Sequence, residues 1–88
     1  MTKLFYYTIS KETDTFIFKC TENILDENLH GFTKGKLLVD VDGSAFITYR
    51  NLKETITLSN DFDINAVLID STIELDFLET IALVAFEK

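Results

Sequence analysis

The stretch Lys36-Leu37-Leu38-Val39-Asp40-Val41-Asp42-Gly43-Ser44-Ala45-Phe46-Ile47-Thr48-Tyr49-Arg50 reads as two β-strands about a tight turn. Asp-Gly is the dipeptide that a two-residue type I′ turn favours, because both central residues need positive φ. Such a turn pairs Val41 with Ser44, Val39 with Phe46 and Leu37 with Thr48. Leu38 with Ile47, and Lys36 with Tyr49, then line the opposite side. Both sides are partly apolar, which predicts a hairpin central in its sheet.

Towards the N-terminus, residues 4–10 and 15–20 alternate and are rich in β-formers. Joined through Lys11-Glu12-Thr13-Asp14, they pair Ser10 with Thr15, Ile9 with Phe16, Tyr7 with Phe18 and Phe5 with Cys20. All the large apolar pairs then share one side, which predicts a second antiparallel hairpin. Between the hairpins, a short helix is expected near 23–30, with Asn23 as cap, an apolar edge of Ile24, Leu25 and Leu29, and Gly31 as stop. Phe32 to Gly35 reads as a loop.

Towards the C-terminus, strands are expected at 54–58 and 62–69. Ser59-Asn60-Asp61 would join them and set Leu58 against Phe62 and Ile56 against Ile64. The tail alternates only as far as Phe77. At the helical period its polar residues Thr72, Asp76, Glu79, Thr80 and Glu87 gather into one sector, and Ser71-Thr72-Ile73-Glu74 has the form of a capping box. A helix over about 72–86 follows from this. The fold class is α+β: one domain over 1–88, a small single-layer antiparallel sheet of about five to six short strands, a short helix near 23–30 and a C-terminal helix on one face. The alternative is an all-β meander or small barrel.

Charge is divided unevenly along this frame. Fifteen Asp and Glu stand against eight Lys and Arg, a formal net charge of −7. Up to Lys53 the acids (Glu12, Asp14, Glu22, Asp26, Glu27, Asp40, Asp42) and bases (Lys3, Lys11, Lys19, Lys34, Lys36, Arg50, Lys53) cancel. From 54 to 87 come Glu54, Asp61, Asp63, Asp70, Glu74, Asp76, Glu79 and Glu87, with no base. A one-signed field of this kind repels nucleic acid and anionic membrane and attracts basic surfaces.

Other classes have little support. One cysteine, Cys20, permits no internal disulfide, and the longest apolar run, Ile81 to Phe86, is far short of the ~20 residues a membrane span needs. The N-terminal residues lack the apolar length of a signal peptide, so a cytoplasmic protein of a bacterial cell, phage-encoded or not, is expected. Gly31 to Leu37 is one residue short of a phosphate loop and has Leu37 where the hydroxyl should stand. Asp61-Phe62-Asp63-Ile64-Asn65 begins like a calcium loop, but Ala66 and Thr72 replace its glycine and its glutamate. His30 and Cys20 are single, so no zinc set assembles. No cofactor, metal or catalytic group is expected, and the chain is read as a non-enzyme.

The function expected is that of a small acidic inhibitor. Asp61, Asp63, Asp70, Asp76, Glu79 and Glu87 would occupy Lys and Arg of a nuclease, toxin or other nucleic-acid-handling protein, in competition with phosphate. Asp61 and Asp63, two strand residues apart, would lie ~6.8 Å apart, comparable with successive phosphates. In size and composition the chain is similar to phage-encoded inhibitors of host defence and to bacterial immunity proteins. A second reading is a homodimer through Leu75, Leu78, Ala82 and Phe86 of the C-terminal helix. A third is single-stranded nucleic-acid binding by the aromatic N-terminal hairpin, with Tyr6, Tyr49 and Lys19 at the surface.

Overall fold

In the computed structural model, which describes residues 4–78, Asp14 opens a helix where the alternation predicted a strand. Its backbone is extended (φ −156°, ψ 111°), and its carboxylate accepts the Ile17 N–H at 3.0 Å, capping α1 (Thr15–Asn28). Phe18, Thr21 and Leu25 form the buried stripe at helical spacing, and the Thr21 hydroxyl donates to the Ile17 carbonyl at 2.7 Å. Phe16 is 64% exposed and Cys20 is exposed, so the period-two face of Phe16, Phe18 and Cys20 does not exist. The expected hairpin 4–10/15–20 is therefore replaced by strand and helix. The expected short helix is the second half of α1: Asn23 lies inside it, Leu29 caps it, and Gly31 follows with φ 84°.

Around α1 runs one antiparallel sheet of six strands: β1 (Phe5–Ser10), β2 (Thr33–Lys34), β3 (Leu38–Val39), β4 (Ala45–Arg50), β5 (Thr55–Asp61) and β6 (Ala66–Ser71). The order is β1-β6-β5-β4-β2, with β3 also on the outer side of β4. Apolar partners line up across it, Tyr7 with Ile69, Ile69 with Leu58 and Leu58 with Ile47. On that face Ile9, Tyr49, Ile56 and Val67 join Phe18, Leu25 and Leu29 of α1 and Leu75 and Leu78 beyond β6 in one cluster. The opposite face carries Tyr6, Asp70, Thr57 and Thr48 in one row and Thr8, Leu68, Ser59, Phe46 and Leu38 in the next. The all-β alternative fails on α1; the architecture is α+β with an open sheet.

Both downstream hairpins pair in other registers than expected. Asp40 N–H donates to the Ser44 carbonyl at 2.8 Å and Gly43 N–H to the Asp40 carbonyl at 3.0 Å, which closes a three-residue loop, 41–43, with Gly43 at φ 92°. A type I turn followed by one left-handed residue uses Asp-Gly as well as the tighter turn does, and it slips the register by one. Leu38 therefore opposes Phe46 rather than Ile47. The segment is also at the edge of the sheet, not central. β5 continues to Asp61, and residues 62–65 form the next turn, with Asn65 at φ 62° and its N–H on the Asp61 carbonyl at 2.7 Å. Phe62 and Ile64 are thus turn residues rather than strand partners of Leu58 and Ile56.

The tail departs earlier still. Ser71 ends β6, and its Oγ donates to the Ile73 carbonyl at 2.6 Å, so the capping box is not formed. Residues 72–77 are turn and loop, fastened by the Leu75 N–H on the Tyr7 hydroxyl at 2.9 Å. The helix predicted over 72–86 does not begin at Thr72, and its part beyond residue 78 lies outside the described residues.

Candidate functional site

Ser44, buried at the start of β4, ties two loops into one end of the molecule. Its carbonyl accepts Asp40 N–H, its N–H donates to the Asp42 carboxylate at 2.9 Å, and its Oγ accepts the Phe62 N–H at 2.9 Å. The Phe62 ring lies beside Gly43, where a Cβ would meet it at 3.4 Å. The β3–β4 loop and the β5–β6 loop are therefore neighbours.

The connection before α1 is fastened to the same end. Asn60 Oδ1 accepts the Asp14 N–H at 3.1 Å, and Asn65 Oδ1 accepts the Thr13 N–H at 3.1 Å and its hydroxyl at 3.3 Å. Across the three connections stand Glu12, Asp14, Asp40, Asp42, Asp61 and Asp63, with Lys11 as the single base.

Most of these carboxylates build the loops as well as charging them. Asp61 accepts the N–H groups of Asp63 at 2.9 Å and Ile64 at 3.1 Å, and Asp40 accepts that of Val41 at 2.8 Å. The Ser44 backbone N–H, and after it the Ser44 hydroxyl, hold the Asp42 carboxyl below the usual range, since both favour the charged form. Asp63 accepts no hydrogen bond from the described residues. Between the acids, Val41, Phe62 and Ile64 stand exposed. Val39-Asp40-Val41-Asp42 and Asp61-Phe62-Asp63-Ile64 thus present the same alternation of apolar and acidic groups at one place.

Of the acids singled out in the sequence that lie among the described residues, the structure brings Asp61 and Asp63 together at this end, and Asp70 and Asp76 lie apart from them. Asp61 and Asp63 are not two strand residues: Asp61 ends β5 and Asp63 lies in the turn, so the phosphate-like strand spacing does not apply. Asp70 lies on the open face of β6, where partial burial raises its pKa. Asp76 lies in the turn that follows β6, a strand that itself runs ~17 Å away from the loop at ~3.4 Å per residue. Glu79 and Glu87 lie outside the described residues. Asp40, Asp42, Val41, Phe62 and Ile64 were not among the site residues expected, although the alternation about each turn was the available signal.

The described residues of the other two readings do not form a shared exposed surface. Leu75 and Leu78 are buried in the chain's own core, while Ala82 and Phe86 lie outside the described residues. Tyr6 is exposed on the open face, Lys19 is exposed on α1, and Tyr49 is buried beneath α1. The calcium-like oxygens of Asp61 and Asn65 accept hydrogen bonds from the turn and from Thr13. Among the described residues no three His, Cys, Asp or Glu converge as metal ligands, and no helix is long and apolar enough to cross a membrane. Comparison with protein-family models, with curated proteins and with solved structures finds no match.

Proposed function

We propose that this protein is a small interaction protein, not an enzyme, that binds a basic surface through the paired loops 39–42 and 61–64. The juxtaposition of two acid–apolar loops, fastened at Ser44, carries the reading. Phe62, Ile64 and Val41 supply apolar anchors, and the carboxylates around them select a surface where Lys and Arg flank an apolar patch. Such surfaces occur on nucleases, toxins and host-defence factors that hold phosphate, so occupancy by carboxylates would block them, as an inhibitor or immunity protein does. The place of action in this reading is the bacterial cytoplasm.

The test is affinity capture from a bacterial lysate at low and high salt, with the wild type and with Asp63→Lys, which breaks no hydrogen bond of the fold. A partner retained at low salt, displaced by a short oligonucleotide and lost from Asp63→Lys supports the reading. A partner that survives both the variant and high salt refutes the charge mechanism.

A further inference from the structure

The outer edge of β4 is covered by a single broken strand. Thr33 and Lys34 pair with Arg50 and Tyr49, Gly35 N–H donates to the Thr48 carbonyl at 2.7 Å, and Leu38 and Val39 pair with Phe46 and Ala45. The register advances by one residue between Gly35 and Leu38, so Lys36 and Leu37 form a bulge. Bulges and lysines ordinarily protect an edge from further pairing. Beyond this bulge the protection stops. Leu37 is 54% exposed, Leu38 63% and Val39 65%, and Val41 is wholly exposed. Side chains on both sides of the strand are apolar and in water, which a solvated edge does not need.

The backbone there has bonding capacity left. Asp40 turns its N–H and its carbonyl towards the β3–β4 hairpin. By the alternation of an antiparallel ladder, Val39 turns its own N–H and carbonyl outward. The charges that flank the apolar run are ordered: Lys34 and Lys36 precede it, and Asp40 and Asp42 follow it. Lys34 is engaged within the chain, at 2.6 Å from Glu22 and 3.1 Å from Asp26, whereas Lys36 makes no ion pair with the described residues.

We propose that β3 is a self-association edge: two copies of this chain pair their 37–39 segments antiparallel across a two-fold axis. An antiparallel two-fold sets the N-terminal cation of each copy against the C-terminal acids of the other, so Lys36 meets Asp40 of the second copy, twice. Leu37, Leu38 and Val39 cover their counterparts, and the outward groups of Val39 gain main-chain partners. A parallel pairing would put lysine on lysine. The charge order therefore specifies the orientation, and a second copy of the chain is the occupant that carries the complementary order by construction. The interface is short, so the association is weak and concentration-dependent. It shares Val39 and Asp40 with the loops of the basic-partner reading but does not rest on that reading, because its test reads the mass of the chain alone and Asp63 lies outside this edge.

Sedimentation equilibrium from about 1 µM to about 1 mM, the range of weak association, reads the outcome directly. The mass rises from 10.1 kDa towards twice that value for the wild type and for Asp63→Lys. Lys36→Glu alone and Asp40→Lys alone each remain monomeric at every concentration. An equimolar mixture of the two variants forms a heterodimer, because the glutamate introduced in one chain then faces the lysine introduced in the other. A wild type that stays monomeric throughout overturns the proposal, as does a dimer that both single variants preserve. A mixture that fails to associate while the wild type dimerises shows that the edge pairs in some other orientation, and overturns it too.

Discussion

Tyr49 is the most informative side chain to alter, because it joins sheet, helix and edge. It is 2% exposed, and its hydroxyl donates to the Asp26 carboxylate at 2.7 Å. The Asp26 carboxylate also receives Lys34 at 3.1 Å, and Lys34 bridges on to Glu22 at 2.6 Å. Burial first, and the Asp26 hydrogen bond after it, push the phenol's pKa far above its usual value. Tyr49→Phe removes one oxygen and no packing, so the loss is that of a hydrogen bond to a charged acceptor, about 1.5–3 kcal/mol. Asp26 keeps Lys34 and has a side chain 38% exposed, so water can replace the phenol, which selects the lower end of that range. At about 4–8 °C per kcal/mol for a domain of this size, Tm falls by about 6–12 °C. Thermal unfolding by circular dichroism measures it. Asp26→Ala leaves the buried hydroxyl only the Glu22 carbonyl at 3.4 Å and also takes a partner from Lys34, so it costs at least as much, and the double variant costs less than the sum of the two. A Tyr49→Phe protein that melts with the wild type, or a double variant that is strictly additive, would refute the coupling of α1 to β4 through this bond.

Two further outcomes test the fold and the open face. Asp14→Ala removes the cap of α1 and costs about 1 kcal/mol, whereas Asp14→Asn keeps the cap and melts close to the wild type; equal losses in both, measured by denaturant unfolding, would argue against a helix start at this residue. Asp70 has a folded pKa raised by partial burial, so its ionised form opposes folding once the pH exceeds the unfolded carboxyl value. Asp70→Asn therefore raises Tm at about pH 7 and leaves it unchanged at about pH 3, below the unfolded carboxyl pKa of ~3.9. A gain that is equal at both pH values would remove the electrostatic explanation.

Much of the strand content was legible. Strands expected over 4–10, 44–50, 54–58 and 62–69 correspond to Phe5–Ser10, Ala45–Arg50, Thr55–Asp61 and Ala66–Ser71, with 62–65 a turn instead, and Asp42-Gly43 is a turn. Residues 15–20 were not legible, because Thr-Phe-Ile-Phe-Lys-Cys alternates at period two while Phe18, Thr21 and Leu25 lie on a helical stripe. Both patterns are present, and a stripe has value only where a surface exists to receive it. Phe62 and Ile64 misled for a related reason. Apolar residues after a strand imply a second strand, but the Asp61 carboxylate folds the chain back on local N–H groups first.

The acidic site was half legible. Its residues lie in two stretches whose alternation is plain in the sequence, yet they are about twenty residues apart, and it takes the β4–β5 pairing, the Ser44–Phe62 hydrogen bond and the Phe62 ring beside Gly43 to make them one surface. Asp70 and Asp76, expected as anionic contacts beside Asp61 and Asp63, lie apart from these loops because β6 runs away from the 62–65 turn before it reaches them.

The amino-acid order holds where β-formers run, where glycine must turn the chain, and the fact that residues 54–87 bear acids without bases. It also holds the succession of lysines and aspartates about Leu37-Leu38-Val39, on which an antiparallel self-pairing depends. Long-range packing was needed to make 15–28 a helix, to lay β1 beside β6, and to bring the loops to a shared end. Each of these rests on contacts between residues distant in the chain, such as Tyr7 with Ile69 or Thr13 with Asn65. Burial of one common face rewards all of them together, and no local window of sequence contains that reward.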